Sequence, residues 1–481
     1  MRVLFVTSEY APLFKLGGLA DVSAALPQAL AGLGMTVDIV LPYYEAIKMP
    51  KVTCLGSIAV PSTGTTELVF VFGFSPHERV RVLLLRHPHL NDYHARDMVR
   101  TFAFFSQTVA CLVRNVRMLA DAPYDVIHCN DWHTALVPLL LGEESKAGKE
   151  KAWDEARSIH TILTIHNPLY QGMVAPSALA TLGIRRTDFI RIGKGKRTRV
   201  NLLAEGLARA DMMSTVSPTF ARELAREKRW GAVSRVFRKR PDKVVGILNG
   251  IDRDMWDPGT DQSLTVRYDA KGAIAAKAQN KAALVTELGL TGGAVPLVAF
   301  IGRLEVNQKG VGILLTSLRR LLPSNSFEMV MLGTGKKDVV DGIATLARAH
   351  SSMFAFLPRF DDRLARKIYA GADIMVVPSK FEPCGLIQMI AMRYGTIPVV
   401  RKTGGLADTV IEGETGFTFG SYSSSALTQT LTRAILMWQK NRRKWHALVT
   451  RVMRQDFSWK TSARSYVTLY KHLTGNRPSY K

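Results

Sequence analysis

One short string occurs twice in this chain, and it constrains the fold more than any other feature. Lys15-Leu16-Gly17-Gly18-Leu19-Ala20-Asp21 is echoed by Lys402-Thr403-Gly404-Gly405-Leu406-Ala407-Asp408. Each copy follows an apolar run, residues 3–6 and 397–400, and the first leads into a helical pattern beginning at Val22. A strand, a glycine loop and a helix start can cradle a phosphate: glycines let backbone N–H groups approach closely, and the helix start adds unpaired donors and a positive dipole end. Lys15 would add a mobile positive charge. A glycine pair after a strand is also simply a tight turn, and the string by itself leaves both readings open. The repetition predicts two lobes of similar build facing one another across a cleft.

Alternating apolar runs and amphipathic segments support that division. Strands are expected at residues 3–7, 37–41, 52–60, 69–73, 80–85, 125–128, 159–165, 211–216 and 244–248, with a helix over 100–119 and another from Ala135. A polar, less regular stretch over 254–293 is the expected lobe boundary. The alternation then restarts, with strands at 296–301, 327–332, 353–357, 374–378 and 397–400 and helices over 426–440 and 461–472. Such alternation predicts βαβ units and parallel sheets. In parallel sheets ligands bind beyond the carboxyl ends of the strands, where Asp131, His133, His166 and Asn167 all fall.

The 481 residues suffice for two or three domains, and 47% apolar with 22% charged residues excludes a disordered chain. No run of about 18 apolar residues is present, so no membrane span is expected, and the apolar start is too short for a signal peptide. Four cysteines, Cys54, Cys111, Cys129 and Cys384, lack metal or disulfide-framework spacing, which suggests a reducing cytoplasm. The net charge is +24, with basic clusters at 185–199, 222–243 and 440–444. They contain no nucleic-acid-binding motif, so a solvated basic exterior is the simpler reading than a nucleic-acid surface.

Two segments of the second half carry candidate chemistry. Glu382, in Phe381-Glu382-Pro383-Cys384-Gly385-Leu386, sits between a strand and a helix start. A carboxylate there could bind sugar hydroxyls or stabilise positive charge at an anomeric carbon; it could equally complement a helix dipole. Arg303 and Lys309 follow the first strand of the second lobe, where two cations suit a departing diphosphate.

These blocks, with His128–His133, Thr164-Ile165-His166-Asn167, Thr215-Val216-Ser217-Pro218, Ile247–Asp252, Arg401–Val410 and Phe457-Ser458-Trp459, resemble the signatures of bacterial glycogen synthases and plant starch synthases, in the same order and over almost the whole chain. The resemblance implies an α/β protein of two Rossmann-like lobes, the GT-B architecture, with parallel sheets facing across a deep interdomain cleft. It implies lobes over 1–258 and 259–458, with a helix over 459–478 returning to the first. The family transfers glucose from ADP-glucose to the non-reducing 4-hydroxyl of an α-1,4-glucan, with retention and without a cofactor or metal. By resemblance Lys15 and the amides of Gly17 and Gly18 contact the diphosphate, and Asp21 holds that loop. His166 hydrogen-bonds the transferred glucose, while Asp131 and Asn249 line the sugar side. Arg303 and Lys309 neutralise the leaving ADP. Glu382, with the amides of Gly385 and Leu386, holds the sugar ring, and Phe360 falls where an aromatic residue meets adenine.

The chain departs from the family pattern in places. One extra residue separates Arg303 from Lys309, Ile387 replaces the usual Thr, residues 201–206 lack the usual Lys, and Pro168 follows His166-Asn167. Donor base is not fixed by any residue, so a UDP-glucose-dependent enzyme of the same fold is an alternative. A weakly active or regulatory paralogue with a basic partner-binding surface is another. Asp252-Arg253-Asp254 resembles a metal-binding Asp-x-Asp, but it belongs to the Asn-Gly-Ile-Asp block and is not expected to hold a metal. Ile390 takes the place of the second Glu of sucrose-phosphate synthase relatives.

Overall fold

The computed structural model describes residues 1–48, 51–62, 65–95, 97–115, 122–144, 159–180, 183–184 and 188–475. The chain divides into two compact units, Met1–Leu248 with Trp459–Lys481, and Asn249–Ser458.

The first unit is built on a nine-stranded sheet. Its strands are β1 (Arg2–Val6), β2 (Thr36–Pro42), β3 (Thr53–Ser62), β4 (Thr65–His77), β5 (Val80–Arg86), β6 (Val126–Asn130) and β7 (His160–Ile165). β8 (Met173–Val174), β9 (Arg191–Ile192) and β10 (Arg199–Asn201) form a separate small sheet, and β11 (Met212–Thr215) and β12 (Val244–Gly246) complete the large one. The order is β12-β11-β7-β6-β1-β2-β5-β4-β3. All neighbours from β12 to β5 pair in parallel, whereas β5, β4 and β3 are antiparallel. Alternation alone predicts only parallel strands; here the links between β3, β4 and β5 are too short for a crossover, so the chain can only turn back.

β1 is buried along most of its length because strands covered on both faces read as continuous apolar runs. The helix Gly18–Ala31 buries Leu19, Val22, Leu26 and Leu30, at spacings of three and four that form one stripe. The helix Trp459–Leu473 joins the same core through Trp459, Tyr466, Leu469 and Tyr470. Its Ser462 Oγ donates to Leu248 O at 2.6 Å, and the Tyr470 hydroxyl bonds His128 Nδ1 at 2.7 Å. Residues 476–478 of the expected returning helix lie outside the described residues, as do 116–119 of the helix expected over 100–119; that helix spans Met98–Arg114.

The second unit carries a six-stranded, all-parallel sheet. Its strands are β13 (Leu297–Ile301), β14 (Glu328–Leu332), β15 (Phe354–Leu357), β16 (Ile374–Val377), β17 (Ile397–Arg401) and β18 (Phe417–Phe419), in the order β15-β14-β13-β16-β17-β18. In each unit the chain runs outward on one side and then jumps back across its first strand, creating a switch point. The switch lies between β1 and β6 in the first unit and between β13 and β16 in the second. No helix among the described residues is long and apolar enough to cross a membrane.

Candidate active site

At the first switch point the loop after β1 leads into the Gly17-Gly18 string. Glu9 is buried there, and its Oε2 accepts the backbone N–H groups of Leu16 and Gly17, both at 2.8 Å. Burial raises the Glu9 carboxyl above the ordinary range, against the lowering effect of those two bonds. The Gly17 amide expected to meet a diphosphate is therefore engaged by Glu9. Gly18 is the first residue of its helix, where an N–H has no intrahelical partner. Lys15 Nζ pairs with Asp21 Oδ1 at 2.7 Å, and both side chains are exposed. A Cβ on Gly17 or Gly18 would meet nothing within 4 Å. Packing within this unit therefore does not require the two glycines; they leave room beside the loop.

β6 pairs with β1, and so brings Asp131 to the same end of the sheet. Asp131 adopts φ 56°, ψ −176°, a conformation that costs an L residue of the order of 1–3 kcal/mol. The turn aims its carboxylate back at the end of β7, where Oδ1 accepts His166 N at 2.7 Å and Asn167 N at 3.3 Å. Burial pushes the Asp131 carboxyl up to about 7. Burial also pushes His166 down to about 3, so its ring is neutral. His166 Nε2 lies 2.9 Å from Asn130 Oδ1, while Asn130 Nδ2 donates to Val6 O and His128 O. Asn130 thus offers its acceptor, Nε2 carries the proton, and Nδ1 keeps a lone pair able to accept from a hydroxyl. His133 points elsewhere: its Nε2 meets the Tyr93 hydroxyl at 2.9 Å among Phe102 and Trp132.

The second switch point unites residues far apart in sequence. Lys309 Nζ lies 2.7 Å from Glu382 Oε2, which also accepts from Ser379 Oγ at 2.9 Å. The pair is largely buried, with side-chain exposures of 16% and 9%. Gly310, at φ 72°, closes the short helix Val306–Lys309, and a Cβ there would sit 2.0 Å from Pro378 O. That contact explains the glycine: it lets the end of this helix press against the chain leaving β16 and deliver Lys309 to Glu382. Lys380 N donates to Gln308 O at 2.8 Å and seals the same approach.

The second Gly-Gly string serves packing. Gly405 N–H donates to Glu382 O at 3.1 Å, and a Cβ on Gly405 would lie 2.1 Å from Cys384 O. The two copies of one string thus have different physical reasons: open space at 17–18, close backbone contact at Gly405. Gly385, at φ 74°, turns the Glu382 loop into the helix Ile387–Arg393, with Leu386 as its N-cap, and Gln388 Nε2 donates to Gly385 O at 2.8 Å. Ile387 Cδ1 lies 3.7 Å from where a Cβ on Gly302 would be, so it faces the turn before Arg303 with methyl rather than hydroxyl.

Other predicted residues in this unit are placed differently. Arg303 is exposed and pairs with Glu305 Oε1 at 2.9 Å rather than with the Lys309–Glu382 pair. Asn249 is buried, and its Oδ1 has no partner among the described residues. Phe360, beyond β15, is 87% exposed, more than any other large apolar side chain described. Asp252 of the Asp-x-Asp string caps its own turn, its Oδ1 accepting Asp254 N and Met255 N.

Sequence reasoning missed Glu9, Asn130 and Ser379. Glu9 and Ser379 are single polar residues just beyond strands, a weak signal at best. The role of Asn130 depends on which neighbours its amide meets, which sequence does not state. In the basic segment 222–243, Arg222, Arg226, Arg235, Arg238 and Lys239 stand exposed on two amphipathic helices; 185–187 of the first basic cluster lie outside the described residues.

Comparison with known proteins accounts for both units. Residues 2–239 match the family model "Starch synthase catalytic domain", and 295–436 match "Glycosyl transferases group 1". The chain is 37% identical to a glycogen synthase of Lacticaseibacillus casei, over 99% of each chain. It is 39% identical to a glycogen synthase of Anaeromyxobacter, over 98% of this chain and 99% of the relative. The catalytic domain of starch synthase IV from Arabidopsis thaliana, solved bound to ADP and acarbose, superimposes with a TM-score of 0.86 at 32% identity, covering 98% of this chain and 99% of that one. With its two switch-point sites and its likeness over the full length, the chain belongs to the glycogen synthase and starch synthase family of GT-B glycosyltransferases.

Proposed function

We propose that this glycosyltransferase moves glucose from ADP-glucose to the non-reducing 4-hydroxyl of an α-1,4-glucan, with retention, and releases ADP. The observation that carries the reading is the buried Lys309–Glu382 pair at the second switch point, in a chain whose relative of known structure binds ADP. Breaking the bond between sugar and phosphate leaves negative charge on the diphosphate and positive charge on the anomeric carbon. Lys309 answers the first and Glu382 the second, from positions set before the reaction begins. In the resting arrangement each neutralises the other, and donor binding would give Lys309 a phosphate oxygen in place of the carboxylate.

Lys15 and the Gly18 amide would meet the same diphosphate, with Asp21 holding the Lys15 ammonium and Glu9 the loop backbone. Arg303 would add a further cation by leaving Glu305. The neutral His166, with its lone pair on Nδ1, suits a sugar hydroxyl donor, and Asp131 fixes the backbone that carries it. The orphaned Oδ1 of Asn249 suits a second sugar hydroxyl. The Gly385 and Leu386 amides would bind beside Glu382, and Phe360 offers an open face for the adenine ring. Retention follows if the acceptor attacks on the face that ADP leaves and the departing phosphate takes its proton; the protein then chiefly supplies geometry and fixed charge. Cations placed at both strand ends supply the charge compensation that other transferases draw from a metal, so we assign no metal and no cofactor to this reaction. The four cysteines lack metal or disulfide-framework spacing, which supports the reading of a cytoplasmic enzyme.

The test is incubation of purified protein with maltooligosaccharides and an equimolar mixture of ADP-glucose and UDP-glucose. The expected result is chain extension with ADP as the dominant nucleotide product. Dominant UDP would overturn the donor assignment, and no extension with either donor would overturn the function.

A further inference from the structure

Just inside the outer strand of the first unit's sheet lies a cluster that the transfer chemistry does not use. Glu67 lies on β4, on the same face as the buried Val69 and Val71. His87 and His89 flank Pro88 in the turn that leaves β5, the strand paired with β4. Both imidazoles converge on one carboxylate oxygen: Glu67 Oε2 is 3.1 Å from His87 Nε2 and 3.5 Å from His89 Nε2. All three ligand atoms lie within 4.8 Å of one another.

We propose that Glu67, His87 and His89 form a site for a divalent transition metal, zinc or a similar ion. Bonds of about 2.0–2.1 Å to nitrogen and oxygen at tetrahedral angles put neighbouring ligand atoms about 3.3–3.4 Å apart. The two separations, 3.1 and 3.5 Å, bracket that value. Two imidazoles and one carboxylate are a donor set that suits Zn(II), Co(II) or Ni(II) and leaves a fourth corner for water. Side-chain exposures of 24% for Glu67, 11% for His87 and 39% for His89 leave an entry path while keeping the donors partly desolvated. Phe104 backs the site, its ring centroid 4.8 Å from that of His87 and 5.3 Å from that of His89, and limits the rotamers of both.

One local bond changes on binding. His87 Nδ1 accepts His89 N–H at 3.2 Å, so the metal-free ring carries its proton on Nε2 and donates it to Glu67. Ligation through Nε2 moves that proton to Nδ1 and releases the His89 N–H to water. The site therefore binds more weakly than a preorganised structural zinc site. Its occupant would tie β4 to the turn after β5 and so stiffen that end of the sheet.

The experiment uses chelator-stripped full-length protein titrated with cobalt chloride alone. The expected result is one equivalent of bound cobalt with the visible bands of four-coordinate geometry, bands that zinc chloride abolishes, together with a higher melting temperature. Glu67→Gln and His89→Ala, the latter a half-exposed side chain whose loss spares the core, should each weaken binding by about tenfold or more while the far-UV spectrum stays unchanged. Wild-type protein with no saturable cobalt band would overturn the assignment. So would a His87→Ala/His89→Ala variant that binds as tightly as wild type.

Discussion

Replacing Lys309 by Met would leave Glu382 with one hydrogen-bond donor, Ser379, and no opposing charge. The Nζ–Oε2 distance is 2.7 Å and the two side chains are 16% and 9% exposed, so solvent screens the pair little. At an effective dielectric constant of about 20, opposite charges at this distance attract by about 6 kcal/mol, much of it offset by the cost of desolvating both ions. Removing one partner of such a pair costs about 3 kcal/mol, because the other remains buried and uncompensated. The strand β16 and the helix Ile387–Arg393 flank Glu382 and should feel that loss first. Hydrogen exchange of peptides across 374–393 should therefore lose about 10²-fold of its protection in Lys309→Met, since each 1.4 kcal/mol is a factor of ten. Adding Glu382→Leu should restore most of the protection, because the orphaned charge is gone. ADP release should fall by about 10²–10³-fold in both variants, because restored stability does not restore the charges that act on the donor. Protection within twofold of wild type in Lys309→Met would refute the argument, as would protection that falls further when Glu382 is also removed.

The two glycine strings should respond in opposite ways. Gly17→Ala meets nothing within 4 Å and should leave thermal stability unchanged while raising KM for the donor; a large loss of stability would show that packing demands this glycine. Gly405→Ala drives a methyl into Cys384 O and should cost about 1–3 kcal/mol in denaturant unfolding, a penalty whose absence would contradict the contact described. The Asp131 carboxyl, raised from 3.8 to about 7 by burial, makes the folded state hold its proton longer than the unfolded state does. Stability should thus be highest relative to Asp131→Asn below about pH 4 and fall as pH rises towards 7, by at most about 1.4 kcal/mol per unit. Above pH 7 the difference should level; parallel stability curves for the two proteins between pH 4 and 8 would exclude the shift.

Much of this architecture can be read from the chain itself. Apolar runs of strand length alternating with 3.6-residue periodicity are a local property of the sequence, and they are enough to place the parallel strands of both sheets and to put Asp131, His166, Arg303 and Glu382 at strand ends. The hairpin of β3, β4 and β5 is less legible, because an apolar run does not state the direction of its neighbour; the length of the connection decides it.

What the sequence determined by itself is most of the inventory: the longer apolar strands, which loops follow them, and which charged residues those loops carry; the short strands β8, β9, β10 and β18 are not among those expected. Only the tertiary structure decided the partnerships. Strand order set Lys309 against Glu382 across 73 positions and set Glu67 beside His87 across 20. It also gave two copies of one glycine string different roles, since the first borders open space and the second touches the Cys384 backbone. The physical reason is that a side chain's charge and shape are local, whereas its burial and its partner depend on which strands lie side by side.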